Sequence, residues 1–129
     1  KMNKLIIDVA NEKIFLMVIT NFSIYNITHE NTKINYEKLT IIINDFLLSK
    51  NLKIADINAI YINMGPGSFA GIRNSISVVK AFHIAKNIDY YCYNLDDFKD
   101  EKDLSYENIP DLCKKYKIKK NLINPIYIS

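Results

Sequence analysis

The sequence predicts an α/β layer fold with a mixed five-stranded sheet, antiparallel over its first three strands and parallel beyond them, with helices flanking it. Three observations predict it. Three β-branched runs follow one another with short polar breaks, the rest of the chain alternates helical and strand patterns, and 129 residues suit one domain.

The first run, Lys4 to Ala10 (KLIIDVA), and the second, Lys13 to Thr20 (KIFLMVIT), are almost continuously apolar, as strands buried on both faces are. The third, Phe22 to Thr28 (FSIYNIT), alternates apolar Phe22, Ile24 and Ile27 with polar residues and reads as the edge strand. Tyr36 to Lys50 then carries Leu39, Ile42, Ile43, Phe46 and Leu47 at helical spacing, with Asn35 as N-cap. Ile41 and Leu48 widen the apolar arc beyond one stripe, so part of this helix is expected to face something other than the sheet. Ala59 to Met64 is a buried strand running into the stretch Gly65 to Gly71, and a helix follows it to Ala85. A strand at Asp89 to Tyr93 leads to a helical start at Asn94 to Phe98, where Asn94 and Asp97 form a capping box. Lys99 to Ser105 is a charged loop, Asp111 to Tyr116 a helix opened by Pro110, and Ile126 to Ile128 a last short strand. His29 falls in a loop and His83 on a helix face.

Composition removes several functions. The net charge of +3 is nearly all lysine, which in a chain also rich in asparagine and isoleucine is better explained by codon bias than by nucleic-acid binding. One cluster, Lys114, Lys115, Lys117, Lys119 and Lys120 around Tyr116, could meet a polyanion, although such runs usually end solvated helices. The longest apolar stretch, Ile14 to Ile19, is far too short to cross a bilayer, so a soluble, cytoplasmic protein is expected. Cys92 and Cys113 form no CxxC, and the two histidines fit no metal motif, so no metal site is expected. Cys92 in its aromatic strand reads as an unreactive core thiol.

The chain has only three glycines, all within Gly65-Pro66-Gly67-Ser68-Phe69-Ala70-Gly71, and its single arginine, Arg73, follows two residues later. A glycine loop between a strand and a helix suggests an anion site. It is not a Walker A loop, because no Lys-Ser or Lys-Thr follows Gly71. Gly65, Gly67 and Ala70 match a dinucleotide fingerprint, but Pro66 stiffens the turn and the chain after Gly71 is short for that fold. A tight turn with glycines at positive φ and Ser68 as N-cap explains the glycines but not Arg73. A cation in the first turns of a helix opposes its dipole, so Arg73 is expected to meet an anion: a carboxylate such as Asp8, a phosphate, or another chain.

This GPGSFxGxR loop resembles the signature of the bacterial tRNA threonylcarbamoyladenosine biosynthesis protein family TsaB, also called YeaZ, and is complete here as Gly65, Pro66, Gly67, Ser68, Phe69, Gly71 and Arg73. Its setting agrees from the first strand (LIIDVA) to the Asn-Leu-Asp-Asp-Phe helix start, and Asn-Pro-Ile-Tyr-Ile resembles the family's ending. The resemblance implies the actin-like, Hsp70-like and sugar-kinase-like (ribonuclease H-like) fold, with residues 1–98 as its first lobe and 99–129 as a shortened segment in place of the second. It implies a non-catalytic scaffold whose partners are the catalytic subunit TsaD and the small ATPase TsaE, with tRNA met only through the complex. Asp8-Val9-Ala10-Asn11 stands where related enzymes hold phosphate on a glycine-bearing turn, so no cofactor is expected; Asp8 is kept as a nucleotide contact should ATP or ADP bind weakly. The family's four-helix partner contact implies an interface drawn from Leu39, Ile43, Phe46, Leu47, Ile72, Ser75, Ile76 and Val79. Two alternatives stay open: a small nucleotide-binding protein, and a module whose helices pair in a homodimer.

Overall fold

The computed structural model describes residues 2–123 and 127–128. Strands β1 (Lys4–Asp8), β2 (Lys13–Ile19) and β3 (Ile24–Glu30) form an antiparallel meander, with Asp8 opposite Phe15 and Ile14 opposite His29. His29 therefore sits in a strand rather than a loop. Next come α1 (Lys33–Tyr36), α2 (Leu39–Ser49), β4 (Ala59–Asn63), a two-residue β5 (Gly67–Ser68), α3 (Phe69–Lys86) and β6 (Asp89–Tyr93). A 3-10 turn at Leu95–Phe98 follows, then another at Tyr106–Asn108, then α4 (Ile109–Lys115). Finally β7 (Tyr127–Ile128) pairs in parallel with β5, which leaves Asn124, Pro125 and Ile126 of the family-like ending outside the described residues.

The main sheet is ordered β3-β2-β1-β4-β6, with β4 parallel to both β1 and β6. The mixed five-stranded sheet and the edge position of β3 are as the sequence predicts. The expected helix from Tyr36 is instead two pieces. Thr32, not Asn35, caps the first, its hydroxyl accepting from Asn35 N at 3.3 Å, while the Asn35 amide donates to Glu30 O at 2.9 Å. Asn35 is thus held back against β3 and cannot open a long helix.

Strand alternation divides the apolar residues between two cores. On one face Leu5, Ile7, Leu16, Ile60 and Ile62 pack with α2 and α3. On the other Ile6, Met17, Tyr61 and Tyr93 pack with Phe98, Ile109, Leu112 and Cys113 from the C-terminal segment. That segment is the third layer of the fold. After α4 the chain bridges Tyr91 to Lys120, and Asn121 N donates to Tyr90 O at 2.7 Å, which covers the outer edge of β6. Only Lys114 and Lys115 of the lysine run end a helix; the rest lie on this crossing.

Candidate functional site

The ends of β1 and β4 and the loop after each meet at one point. Asp8, the last residue of β1, is 2 % exposed. Its carboxylate accepts from Ala10 N at 3.0 Å, Asn63 Nδ2 at 3.1 Å, Tyr106 Oη at 2.7 Å and, more weakly, Asn11 Nδ2 at 3.4 Å. A buried carboxylate needs such donors to remain in the core. Asn63 passes the network on, because its Oδ1 accepts from Gly65 N at 2.9 Å. Burial first, then the Asp8 charge, raises the Tyr106 hydroxyl, so it stays a donor. The Tyr106 ring stacks on Phe15 with centroids 3.8 Å apart.

The motif loop is sewn onto the β1–β2 turn. Ser68 N donates to Ala10 O at 3.0 Å, and a Cβ on Gly67 would lie 2.5 Å from the same oxygen. A Cβ on Gly71 would lie 2.1 Å from Val9 O, so α3 rests on the start of the β1–β2 turn at a distance only glycine allows. Of the three glycines only Gly65, φ 117°, has a positive φ, which corrects the expected turn: close approach, not conformation, demands the other two. Pro66 follows Gly65 through a cis peptide bond, and Ser68 caps α3 as predicted, accepting from Gly71 N at 3.3 Å.

Arg73 does not reach Asp8. It is exposed, with its guanidinium 5.8 Å from the centre of the half-exposed Phe69 ring, and it makes no ion pair with a described residue. Phe69, Ala70, Arg73, Asn74 and Ser77 line a shallow cavity of about 330 Å³ there.

The helix residues expected at a partner interface need a correction. Leu39, Ile43, Phe46, Leu47, Ile72, Ser75 and Val79 are all buried against the chain's own sheet, and Ile76 is partly buried beside them. An apolar stripe at helical spacing satisfies the nearest sheet first. Outward apolar residues on α2 and α3 include Ile41, Leu48 and Ile84, at 59 %, 58 % and 79 % exposure.

An open cavity of about 810 Å³ lies beside the Asp8 network, walled by Asn11, Lys13, Phe15, Asn31, Ser68 and Tyr106. Lys13 is tied to Glu30 across the strand pair. Asn31 Nδ2 donates to Val9 O at 3.0 Å and Asn11 O at 2.6 Å, while its buried Oδ1 has no partner among the described residues. Tyr106, Asn31 and Asn63 escape sequence reasoning. Only Asn63 left a signal, as a polar residue inside an apolar strand.

Among the described residues no group of three or more His, Cys, Asp or Glu is placed to hold a metal, and no helix is long and apolar enough to cross a membrane. Burial raises both thiols, Cys92 and Cys113, to about 12. His83 Nδ1 lies 2.8 Å from Ile88 O and its ring meets Tyr90 edge-on, a helix-end role.

A meander continued by parallel strands, with a loop packed on the first turn, defines a single lobe of the ribonuclease H-like and actin-like class. The family model described as TsaD, tRNA N6-adenosine threonylcarbamoyltransferase, matches residues 30–94, just over half of the chain, from the end of β3 through β6 and the whole motif loop. The chain belongs to that family. YeaZ from Pseudomonas aeruginosa is similar in structure, with TM-score 0.67 and 19% identity over 73% of this chain and 44% of that one. The chain thus spans less than half the length of that relative. RuvC from Thermus thermophilus is also similar, with TM-score 0.51 and 10% identity over 95% of this chain and 84% of that one. A second RuvC structure, in complex with Holliday junction substrate, gives TM-score 0.55 at 10% identity over 96% of this chain and 84% of that one. At these identities the likeness is one of fold. No curated protein sequence matches. The TsaB (YeaZ) resemblance read from the motif loop agrees with the family match and with the YeaZ fold.

Proposed function

We propose that this chain is a non-catalytic scaffold subunit that binds a TsaD-type catalytic subunit in the formation of tRNA N6-threonylcarbamoyladenosine. The observation that carries it is how the motif is used: Gly67, Gly71 and Ser68 are consumed in holding α3 on the β1–β2 turn, and Arg73 with Phe69 is left facing outward. An outward arginine on an aromatic ring is chemistry suited to a partner's carboxylate. Ile41, Leu48 and Ile84 extend the contact along the outer side of the helix layer. Residues 1–98 serve as the docking lobe, and 99–129 stand as a shortened segment in place of a second lobe. A TsaE-type ATPase joins the assembly, tRNA is met through it, and the work is done in the cytoplasm.

Co-purification with a TsaD-type subunit at micromolar concentration tests this. Arg73→Lys keeps the charge without the bidentate fork and is expected to weaken the complex, as is Ile41→Asp with Leu48→Asp. A wild-type chain that forms no complex overturns the proposal. A second reading, weak nucleotide binding beside Asp8, draws on the unpartnered Asn31 Oδ1 and the cavity it lines. Calorimetry with ATP, ADP and magnesium separates the two, since the scaffold needs no heat of binding. A homodimer on the same helix face is distinguished by light scattering with and without the partner.

A further inference from the structure

A third pocket, of about 470 Å³, opens on the far face of the sheet from α2 and α3. It forms where the lysine run meets the start of β1. Its floor is the stacked pair Tyr61 and Tyr91, ring centroids 5.0 Å apart, and its rim carries Lys4, Lys114 and Lys117. Sequence separates Lys4 from the other two by more than a hundred positions, and only the packing of α4 beside β1 and β4 brings them together.

The charges around the pocket can be sorted. Within the lysine run, Lys115 is held by Glu101 at 2.6 Å and Lys120 by Asp89 at 3.5 Å. Lys114, Lys117 and Lys119 make no ion pair with a described residue, nor does Lys4, so three free ammonium groups face the pocket against one carboxylate, Asp111. The hydroxyls of Tyr61 and Tyr91 have no hydrogen-bond partner among the described residues, and burial pushes the Tyr61 hydroxyl up to about 12, so it is a donor at neutral pH. A pocket so rich in donors asks for an acceptor-rich anion. Its volume is far larger than one phosphate group needs, and Tyr91, partly exposed where it stacks on the buried Tyr61, offers a ring for a flat group to lie against. The basic track also continues: Lys117 and Ile118 are shared with a neighbouring cavity that Lys119 lines, so the cations extend past the space of a single nucleotide.

We propose that this pocket holds one nucleotide of an RNA strand, its phosphate against Lys4, Lys114 and Lys117 and its base against Tyr91. The choice of RNA rests on the tRNA-modification reading above; the pocket itself does not. It makes RNA contact a property of this chain and not only of the assembly.

The test uses the whole 129-residue chain without any partner subunit, so that it fails independently of the scaffold proposal. A single-stranded pentaribonucleotide is titrated in while backbone amides are followed by NMR. Saturable shifts are expected at Lys4, Tyr91 and Lys114 to Ile118. One phosphate neutralised on a single strand gives a salt slope of about −0.7, so affinity should fall roughly threefold between about 50 and about 200 mM salt. The combined Lys4→Gln, Lys114→Gln and Lys117→Gln variant should lose most of that slope and at least about tenfold in affinity at low salt. Lys33→Gln, Lys38→Gln and Lys80→Gln together, elsewhere on the surface, should behave as wild type. Shifts centred elsewhere, no shifts at all, or a pocket variant that binds like wild type would overturn the proposal. AMP binding as tightly as the pentamer overturns the strand assignment.

Discussion

Gly71→Ala sets two effects of opposite sign against each other at one atom. Gly71 lies in α3, and its φ is not in the left-handed region, so a helical alanine should by itself stabilise by about 1 kcal/mol. The added Cβ, however, would stand 2.1 Å from Val9 O and 3.1 Å from Val9 Cγ1. The nearer atom is backbone just past the end of the central strand and has no rotamer to escape into. Relief requires α3 to lift from β1 by more than about 1 Å, which loosens Ile72, Ser75 and Val79 in the core beneath it. Overpacking of this kind costs about 1–3 kcal/mol, and more against rigid backbone, so the net expectation is a loss of about 1–3 kcal/mol. For a domain of this size that lowers Tm by about 4–12 °C. Urea and thermal unfolding followed by far-ultraviolet circular dichroism measure it directly. A Gly71→Ala protein as stable as wild type, or more so, would refute the claim that close approach explains this glycine, because only the helical term would then be acting.

Other consequences follow from the same geometry. Tyr106→Phe keeps the stack on Phe15 but deletes the 2.7 Å bond to Asp8, and should cost about 1.5–3 kcal/mol in denaturant titration; an unchanged midpoint would mean that water replaces the hydroxyl freely. Phe46→Asp should abolish folding, since Phe46 is 3 % exposed, whereas Ile41→Asp should stay within about 0.5 kcal/mol of wild type; a folded Phe46→Asp protein would reverse the assignment of that helix face. Cys92 and Cys113 are raised from 9.0, and Tyr61 from 10.0, to about 12. Because these folded values lie above the unfolded ones, their stabilisation is complete below the unfolded values and is lost as pH rises from about 9 towards about 12. Thermal melts at about pH 8 and about pH 11 should show the drop, with both thiols slow towards a disulfide reagent until the chain unfolds; equal melting temperatures would contradict the burial of these groups.

Strand and helix order was legible because each element carries its own period. LIIDVA, KIFLMVIT and AIYINM announce buried strands, and the isolated glycine loop with Arg73 announced a special turn and, through it, the family. The lower legibility of α1 came from Asn35, whose amide is drawn back to Glu30 by a contact that no spacing rule contains. The helix stripe shows the limit most clearly: Leu39, Ile43, Phe46 and Leu47 were visible as one apolar face, but a sheet and a partner demand the same pattern. The hydrogen bond from Tyr106 to Asp8 joins residues 98 positions apart, and the pocket of Lys4, Lys114 and Lys117 spans the chain. Local periodicity and turn chemistry, written in neighbouring residues, therefore determined the class of fold and the identity of the motif loop. Which glycine serves conformation and which serves contact, which side of a helix meets solvent, and which distant charges share a pocket were decided only by tertiary packing, because each depends on distances that sequence separation does not encode.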